Sequence, residues 1–310
     1  MKRLIKVVLA LLIASAIVVG AILLLKDTNI AILNPQGEIA KKEYDLIIFT
    51  LILSLIVVVP VFAMLIFFSL RYREGNKKAA YRPDWEGSRL LEAIWWGIPC
   101  VIIIILGVVT WQSSHQLDPY KDLDSQVAPL NVQVVSLQWK WLFIYPDQKI
   151  ATVNELIIPE KTPINFMITS DAPMNSFWIP SLGGQVYAMS GMSTELRLIA
   201  DTTGEYRGSS ANISGSGFAD MDFMAKSRSQ ADFDAWAKQT SSLTNVLYDT
   251  TYATLAQPNV QKQPIHYSLR DDGLYDKIIM KYMMPPTKND DSLNTGHDAH
   301  TDHAHMEETQ

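Results

Sequence analysis

Apolar and polar positions divide this chain near residue 115. Before that point three long apolar runs are separated by short charged stretches; after it, apolar residues recur at every second position and later at helical spacing. The runs cover residues 4–25, 46–70 and 90–112. An apolar run of about 18 residues or more predicts a membrane helix, because ~20 residues at ~1.5 Å each cross a hydrocarbon core of ~30 Å. Pro60 and Pro99 lie inside the second and third runs. Proline is tolerated there when neighbouring groups satisfy the carbonyl it frees, and kinks are expected. The first run follows Lys2, Arg3 and Lys6, the order of a secretory signal or signal anchor. No small-x-small cleavage site closes it, so retention of residues 1–27 as an anchor helix is favoured over cleavage.

Beyond residue 125 the period becomes that of strands: Val132, Val134, then Leu137 and Trp139; Ile164, Phe166 and Ile168; Thr194, Leu196, Leu198 and Ala200. Turn-rich stretches such as Ser181-Leu-Gly-Gly184 and Thr202-Thr-Gly204 separate them, which predicts a β-sandwich or barrel over residues 125–228. Helical patterning returns over residues 229–288. Ser229 and Asp232 read as a capping box, Phe233, Trp236 and Ala237 share one face, and Leu274, Ile278 and Ile279 mark a further helix. Residues 289–310 are polar and His-rich, too poor in apolar side chains to fold alone.

Charge orients the anchor. The stretch 71–89 carries Arg71, Arg73, Lys77, Lys78, Arg82 and Arg89 against Glu74, Asp84 and Glu86, a basic excess that marks the cytoplasmic side. Residues 28–45 and everything after the third run are then outside, which in a bacterium is the periplasm. A net charge of -6 over 310 residues, with no basic cluster in the outer part, gives no reason to expect nucleic acid as a partner. The single cysteine, Cys100, sits within the third run, so an intramolecular disulfide is excluded. No phosphate-binding glycine loop, hydrolytic constellation or metal-binding His pair on a helix is present, and His115 and His266 read as surface or packing residues.

Four stretches, in order and with this topology, carry a family resemblance. They are Leu91-Glu-Ala-Ile-Trp-Trp-Gly-Ile-Pro99, Gln138-Trp-Lys-Trp-Leu-Phe143, Asp171-Ala-Pro-Met-Asn-Ser-Phe-Trp-Ile-Pro-Ser-Leu-Gly183 and Gly208-Ser-Ser-Ala-Asn-Ile-Ser-Gly-Ser-Gly-Phe-Ala-Asp-Met221. From about residue 34 to 237 the chain resembles subunit II of the haem-copper respiratory oxidases. The resemblance implies a membrane helical hairpin, preceded here by the signal-anchor helix, and an all-β cupredoxin-like Greek-key sandwich with C-terminal helices. Many such relatives are lipoproteins processed at a cysteine, and Thr28 stands where that cysteine is expected.

In members that oxidise cytochrome c, the sandwich holds two coppers through two Cys, two His, a Met and one backbone carbonyl. The corresponding positions here are Asn175 and Phe218 for the histidines, Ser210 and Ser214 for the cysteines, Asn212 for the carbonyl and Met221 for the methionine. Only Met221 is retained. Serine hydroxyls cannot replace the thiolates that copper requires, and one cysteine within the membrane cannot make a two-thiolate or blue-copper site. The resemblance therefore points to the quinol-oxidising, cytochrome bo-type branch, without cytochrome c as a donor. It implies no cofactor bound by this chain, with haem b, haem o, copper and ubiquinone in a separate subunit I. The expected partners are subunit I, further oxidase subunits, membrane lipid and, through the complex, ubiquinol. An alternative is a membrane-tethered periplasmic binding or assembly protein on a copperless cupredoxin frame.

Glu92 is the one carboxylate inside a span, near its cytoplasmic end. An ionisable residue there is a functional candidate, and in the family a glutamate in this stretch stands at the mouth of a proton pathway that continues in subunit I. The other reading is a first-turn carboxylate favoured by the helix dipole after Ser88. Trp139 and Trp141 read as packing residues. His297, His300, His303 and His305 are weak metal candidates on a tail better read as solvated.

Overall fold

The computed structural model describes residues 30–74, 76, 87–123 and 125–283. The expected N-terminal anchor helix, most of the basic loop and the tail with its four histidines lie outside the described residues.

Two helices, α1 (Glu38–Arg71) and α2 (Arg89–Gln116), form the membrane hairpin. Their side chains face outward along nearly the whole length, as lipid or partner subunits require. The helical form follows from the solvent: inside a bilayer every backbone N–H and C=O must find its partner within the segment. Ser88 caps α2, its hydroxyl accepting from Leu91 N at 3.5 Å.

α1 begins eight residues before the apolar run, so residues 38–45, expected as loop, make two helical turns outside the lipid. The outer domain stabilises those turns. Gly37 offers no side-chain cap, and the Leu182 carbonyl accepts instead from Ala40 N at 3.1 Å, while Gln36 N donates to Ser181 O at 2.8 Å. A Cβ on Gly183 would sit 2.6 Å from Leu198 and 3.1 Å from Ile39, so helix and sandwich approach as closely as they do because Gly183 has none.

The outer domain contains strands β1 (Leu130–Leu137), β2 (Lys140–Tyr145), β3 (Ile150–Val153), β4 (Glu155–Pro159), β5 (Pro163–Ser170), β6 (Asn175–Trp178), β7 (Val186–Ala188), β8 (Thr194–Ile199), β9 (Gly204–Ser210) and β10 (Asp222–Arg228). Helix α3 (Gln230–Ser241) follows, then β11 (Val246–Leu247), α4 (Asp249–Leu255), β12 (Ile265–Leu269) and α5 (Leu274–Met283). One sheet runs β11-β12-β3-β2-β1-β5-β8 and the other β4-β10-β9-β6-β7. The pairings are mixed, with β1 parallel to β5 and β4 parallel to β10. This is the expected sandwich.

Between the sheets lies an aromatic core in which Phe177 and Phe223 stack at 5.3 Å and Trp141, Phe143 and Phe166 meet Phe177 edge-on or tilted. Gly208 makes room for this, since a Cβ there would fall 2.0 Å from the Phe223 ring. Ser229 caps α3 as the capping pattern predicts, accepting from Asp232 N at 3.2 Å, and Phe233 and Ala237 are buried.

Two sequence expectations change. Trp139 is not a strand residue: it occupies the two-residue turn between β1 and β2 with φ 69°. The region 229–288 is not purely helical, because β12 pairs with β3 and completes the first sheet. A second core on the far face of that sheet joins Leu142, Ile144 and Val153 to Tyr267, Leu274, Tyr275 and Ile278. β2 and β3 are consequently buried on both faces, which explains why they read as apolar runs and not as clean alternation.

Phe177 lies at the centre of the ring cluster, so Phe177→Ala is expected to cost about 3–5 kcal/mol. Thermal unfolding of the outer domain in detergent-solubilised protein reads this as a large fall in Tm.

Candidate functional site

The positions that the resemblance assigns to copper ligands lie on β6, on the end of β9 and on the loop 211–221 that leads to β10. Hydrogen bonds link Asn175, Ser210, Asn212, Met221 and Phe218, whereas Ser214 meets Trp139. Asn175, 1% exposed, accepts a hydrogen bond from the Ser210 hydroxyl at 2.9 Å through Oδ1, and donates to Pro173 O at 2.8 Å. Ser210 Oγ also lies 3.1 Å from Asn212 O, and its backbone N donates to Met221 O at 3.3 Å. Asn212 Nδ2 donates to Met174 O at 2.8 Å. Phe218 opens a short 3-10 turn whose carbonyl accepts from Met221 N at 3.0 Å.

Trp139 holds the loop from the other sheet. Its indole N–H donates to Ser214 O at 3.1 Å, and its ring covers Gly215 and Gly217. A Cβ on Gly217 would lie 2.3 Å from that ring, and Gly215 has φ +112°, so both glycines are required by the geometry. The left-handed turn at Trp139 is sustained by this packing.

Such a donor set does not fit the family's two-copper centre. Hydroxyls at 210 and 214, an amide at 175 and a phenyl ring at 218 leave one thioether, Met221, as the sole soft ligand. Asn175, Ser210 and Asn212 spend their hydrogen-bonding groups on one another and on the backbone. The arrangement can fix the loop; it has no group suited to electron transfer through a metal.

Sequence reasoning missed three buried charged residues that organise the surroundings. Glu155 on β4 accepts from His266 Nε2 on β12 and from Lys226 Nζ on β10, each at 2.6 Å, and so ties the two sheets together. His266 also packs edge-on against Trp236, so it is a packing residue with an ion-pair role. The hydrogen bond from His266, then the Lys226 ammonium, outweigh burial and hold the Glu155 carboxyl at about 2. Lys140, 1% exposed, donates to Gln257 O at 2.8 Å and to the Asn259 side chain, and burial lowers its ammonium to about 8. Asp171, fully enclosed, accepts from Tyr252 at 2.6 Å, Tyr282 at 2.5 Å and Lys281 at 2.7 Å. Lys140 and Asp171 thereby anchor the C-terminal segment. The apolar neighbours of Lys140 and Glu155 were a faint sequence signal; Asp171, within Thr169-Ser-Asp-Ala-Pro173, had none.

Glu92 sits in the first turn of α2, where its backbone N donates to Ser88 O at 2.9 Å; its carboxyl lies beside Gly87 and has no hydrogen-bond or ion-pair partner among the described residues. Its side chain is exposed on the isolated chain, at the end of the helix that the basic excess places toward the cytoplasm.

Three family models match in sequence: the transmembrane domain of cytochrome c oxidase subunit II over residues 35–112, the periplasmic domain of the same subunit over residues 148–228, and an aromatic-rich motif of these oxidases over residues 244–286. The chain is 48% identical over 260 residues to cytochrome bo(3) ubiquinol oxidase subunit 2 of Pseudomonas aeruginosa, covering 84% of this chain and 78% of that one. It is 44% identical over 263 residues to ubiquinol oxidase subunit 2 of Acetobacter aceti (84% and 85% covered). It is 39% identical over 235 residues to quinol oxidase subunit 2 of Bacillus cereus (76% and 81% covered).

The Glu155 carboxyl lies below its ordinary 4.5, so it contributes stability above that value and loses it as the pH falls toward about 2. Glu155→Gln should lower the unfolding temperature near neutral pH, and the gap to the unsubstituted protein should close between about pH 5 and pH 2. Thermal scans across that range check it; a gap independent of pH would contradict the assignment.

Proposed function

The chain belongs to the cytochrome c oxidase subunit II family, and from that membership we propose that it serves as subunit 2 of a cytochrome bo(3)-type ubiquinol oxidase, with an outer domain that carries no electron-transfer metal. The ligand loop carries this reading. Ser210, Ser214, Asn175 and Phe218 stand at the four positions where a copper site needs thiolates and imidazoles. Relatives named as ubiquinol oxidase subunit 2 support the same branch.

In this reading quinol gives up its electrons within the membrane, and oxygen is reduced to water in subunit I, which holds haem b, haem o, copper and the quinone site. This chain supplies no reacting group to that chemistry. Its helices lie along the flank of subunit I, and its sandwich caps the periplasmic face. The cap is rigid because Trp139 clamps the loop and Asp171, Lys140 and Glu155 lock the C-terminal segment and the two sheets. Cytochrome c has no role as donor, since the loop it would reduce holds no electron acceptor.

Glu92 is the chain's candidate for proton uptake. It is a carboxylate at the cytoplasmic end of α2, free of a partner among the described residues and so able to exchange protons with a pathway in subunit I.

Extraction in mild detergent tests the main proposal. The chain is expected to copurify with haem b and haem o absorption and with quinol oxidase activity that survives removal of cytochrome c; isolation free of haem and of a larger membrane partner would refute it. Exchanging Glu92 for Gln should leave haem content and assembly intact and slow turnover by about tenfold, equivalent to ~1.4 kcal/mol on the barrier. Unchanged turnover would remove Glu92 from the pathway.

A further inference from the structure

A groove of about 490 Å³ lies where α1 leaves the outer domain, walled by Ile32, Tyr44, Leu46 and Ile47 on one side and by Trp178, Pro180 and Ala211 on the other. Leu46 and Ile47 are the first residues of the apolar run, which places the groove at the outer surface of the bilayer. Tyr and Trp are the residues that favour this level, where one end of a ligand is apolar and the other wet.

One charged side chain lines it. Glu43 is half-buried and faces Gly184, whose backbone N–H it accepts; a Cβ on Gly184 would come within 2.8 Å of Glu43 Oε1. Two nearby cations are engaged elsewhere, and a third, Lys121, borders the adjoining cavity that Glu43 also lines without coming within ion-pair distance of it. Lys42 pairs with Glu38 at 2.6 Å, and Arg197 lies 3.3 Å from Asp122 and 3.2 Å from Glu195. Glu43 therefore has no cationic partner among the described residues, although a partly buried carboxylate is costly until one is supplied.

We propose that this groove binds a phospholipid of the outer leaflet through a primary-amine headgroup, the ammonium meeting Glu43 and the upper acyl segments lying between α1 and Trp178. Charge complementarity selects the headgroup: an anionic lipid would set its net charge against the Glu43 carboxylate, whereas phosphatidylethanolamine brings an ammonium with three N–H donors. At about 490 Å³ the groove has the volume of a small-molecule site, enough for a headgroup and the upper acyl segments and not for a whole phospholipid. This goes beyond the oxidase reading and does not depend on it, because it needs only the anchored chain and its outer domain.

Photolabelling in membranes that carry the full chain with its natural partners tests the site. Two probes share one acyl chain with a photoreactive group near the glycerol and differ in headgroup, phosphatidylethanolamine in one and phosphatidylglycerol in the other. The first is expected to label the segments around Tyr44 and Trp178 about tenfold more than the second, the effect of ~1.4 kcal/mol in affinity. Glu43→Gln should bring the two to the same level, and Ala211→Trp, which fills the groove, should remove both adducts. Haem content and quinol oxidation, read on the same membranes, are expected to be unchanged by either substitution. Equal labelling by the two probes, labelling insensitive to Glu43→Gln, or cross-links from the groove to a partner polypeptide with no lipid adduct would each overturn the proposal. Should Glu43→Gln fail to accumulate, the comparison of probes on the unsubstituted chain together with Ala211→Trp decides it.

Discussion

The carbonyl of Leu182 accepting from the N–H of Ala40 joins two parts of the protein that obey different solvents. A membrane helix is held by its own backbone bonds, but its first N–H groups have no partner inside it. Here the outer domain supplies one, through the Ser181-Leu-Gly-Gly184 turn, and Gly183 lets the two surfaces close on each other. The consequence is a rigid joint. The direction of α1 is fixed relative to the sandwich, and the orientation of the ligand-loop frame above the membrane follows from it.

Within the sandwich, a short sequence does three separate jobs. In Gln138-Trp-Lys-Trp141, Trp139 covers the loop, Lys140 holds the segment between α4 and β12 at Gln257 and Asn259, and Trp141 enters the aromatic core. Alternation across the hairpin directs these side chains to different neighbours. The loop that would surround copper in cytochrome c-oxidising relatives is held by Asn175, Ser210 and Asn212 in a network of ordinary hydrogen bonds.

Much of this was legible in the sequence for identifiable reasons. A bilayer selects by composition alone, so the two described spans stand out. The two turns of α1 from Glu38 to Asp45 were hidden because polar residues carry no membrane signal and their helical form depends on contacts with Leu182. β11 has two residues, and β12 acquires its place only by pairing with β3, about a hundred residues earlier. Glu155, Lys140 and Asp171 look like ordinary surface charges until their distant partners, His266, Gln257 and Tyr282, are brought to them. Trp139 was misread as a strand residue because bulky side chains seldom adopt positive φ, and nothing local announces the glycines beneath it.

The pairing of β12 with β3 also sets an order of events in biogenesis. Until residues 265–269 have crossed the membrane, β3 is an open sheet edge and the face carrying Leu142, Ile144 and Val153 has no cover. Synthesis runs from the N-terminus, so the strand that covers this edge is supplied only near the end of the chain. The outer domain is therefore a structure closed from its tail end, and a chain truncated before Ile265 exports a sheet ready to pair with a stranger.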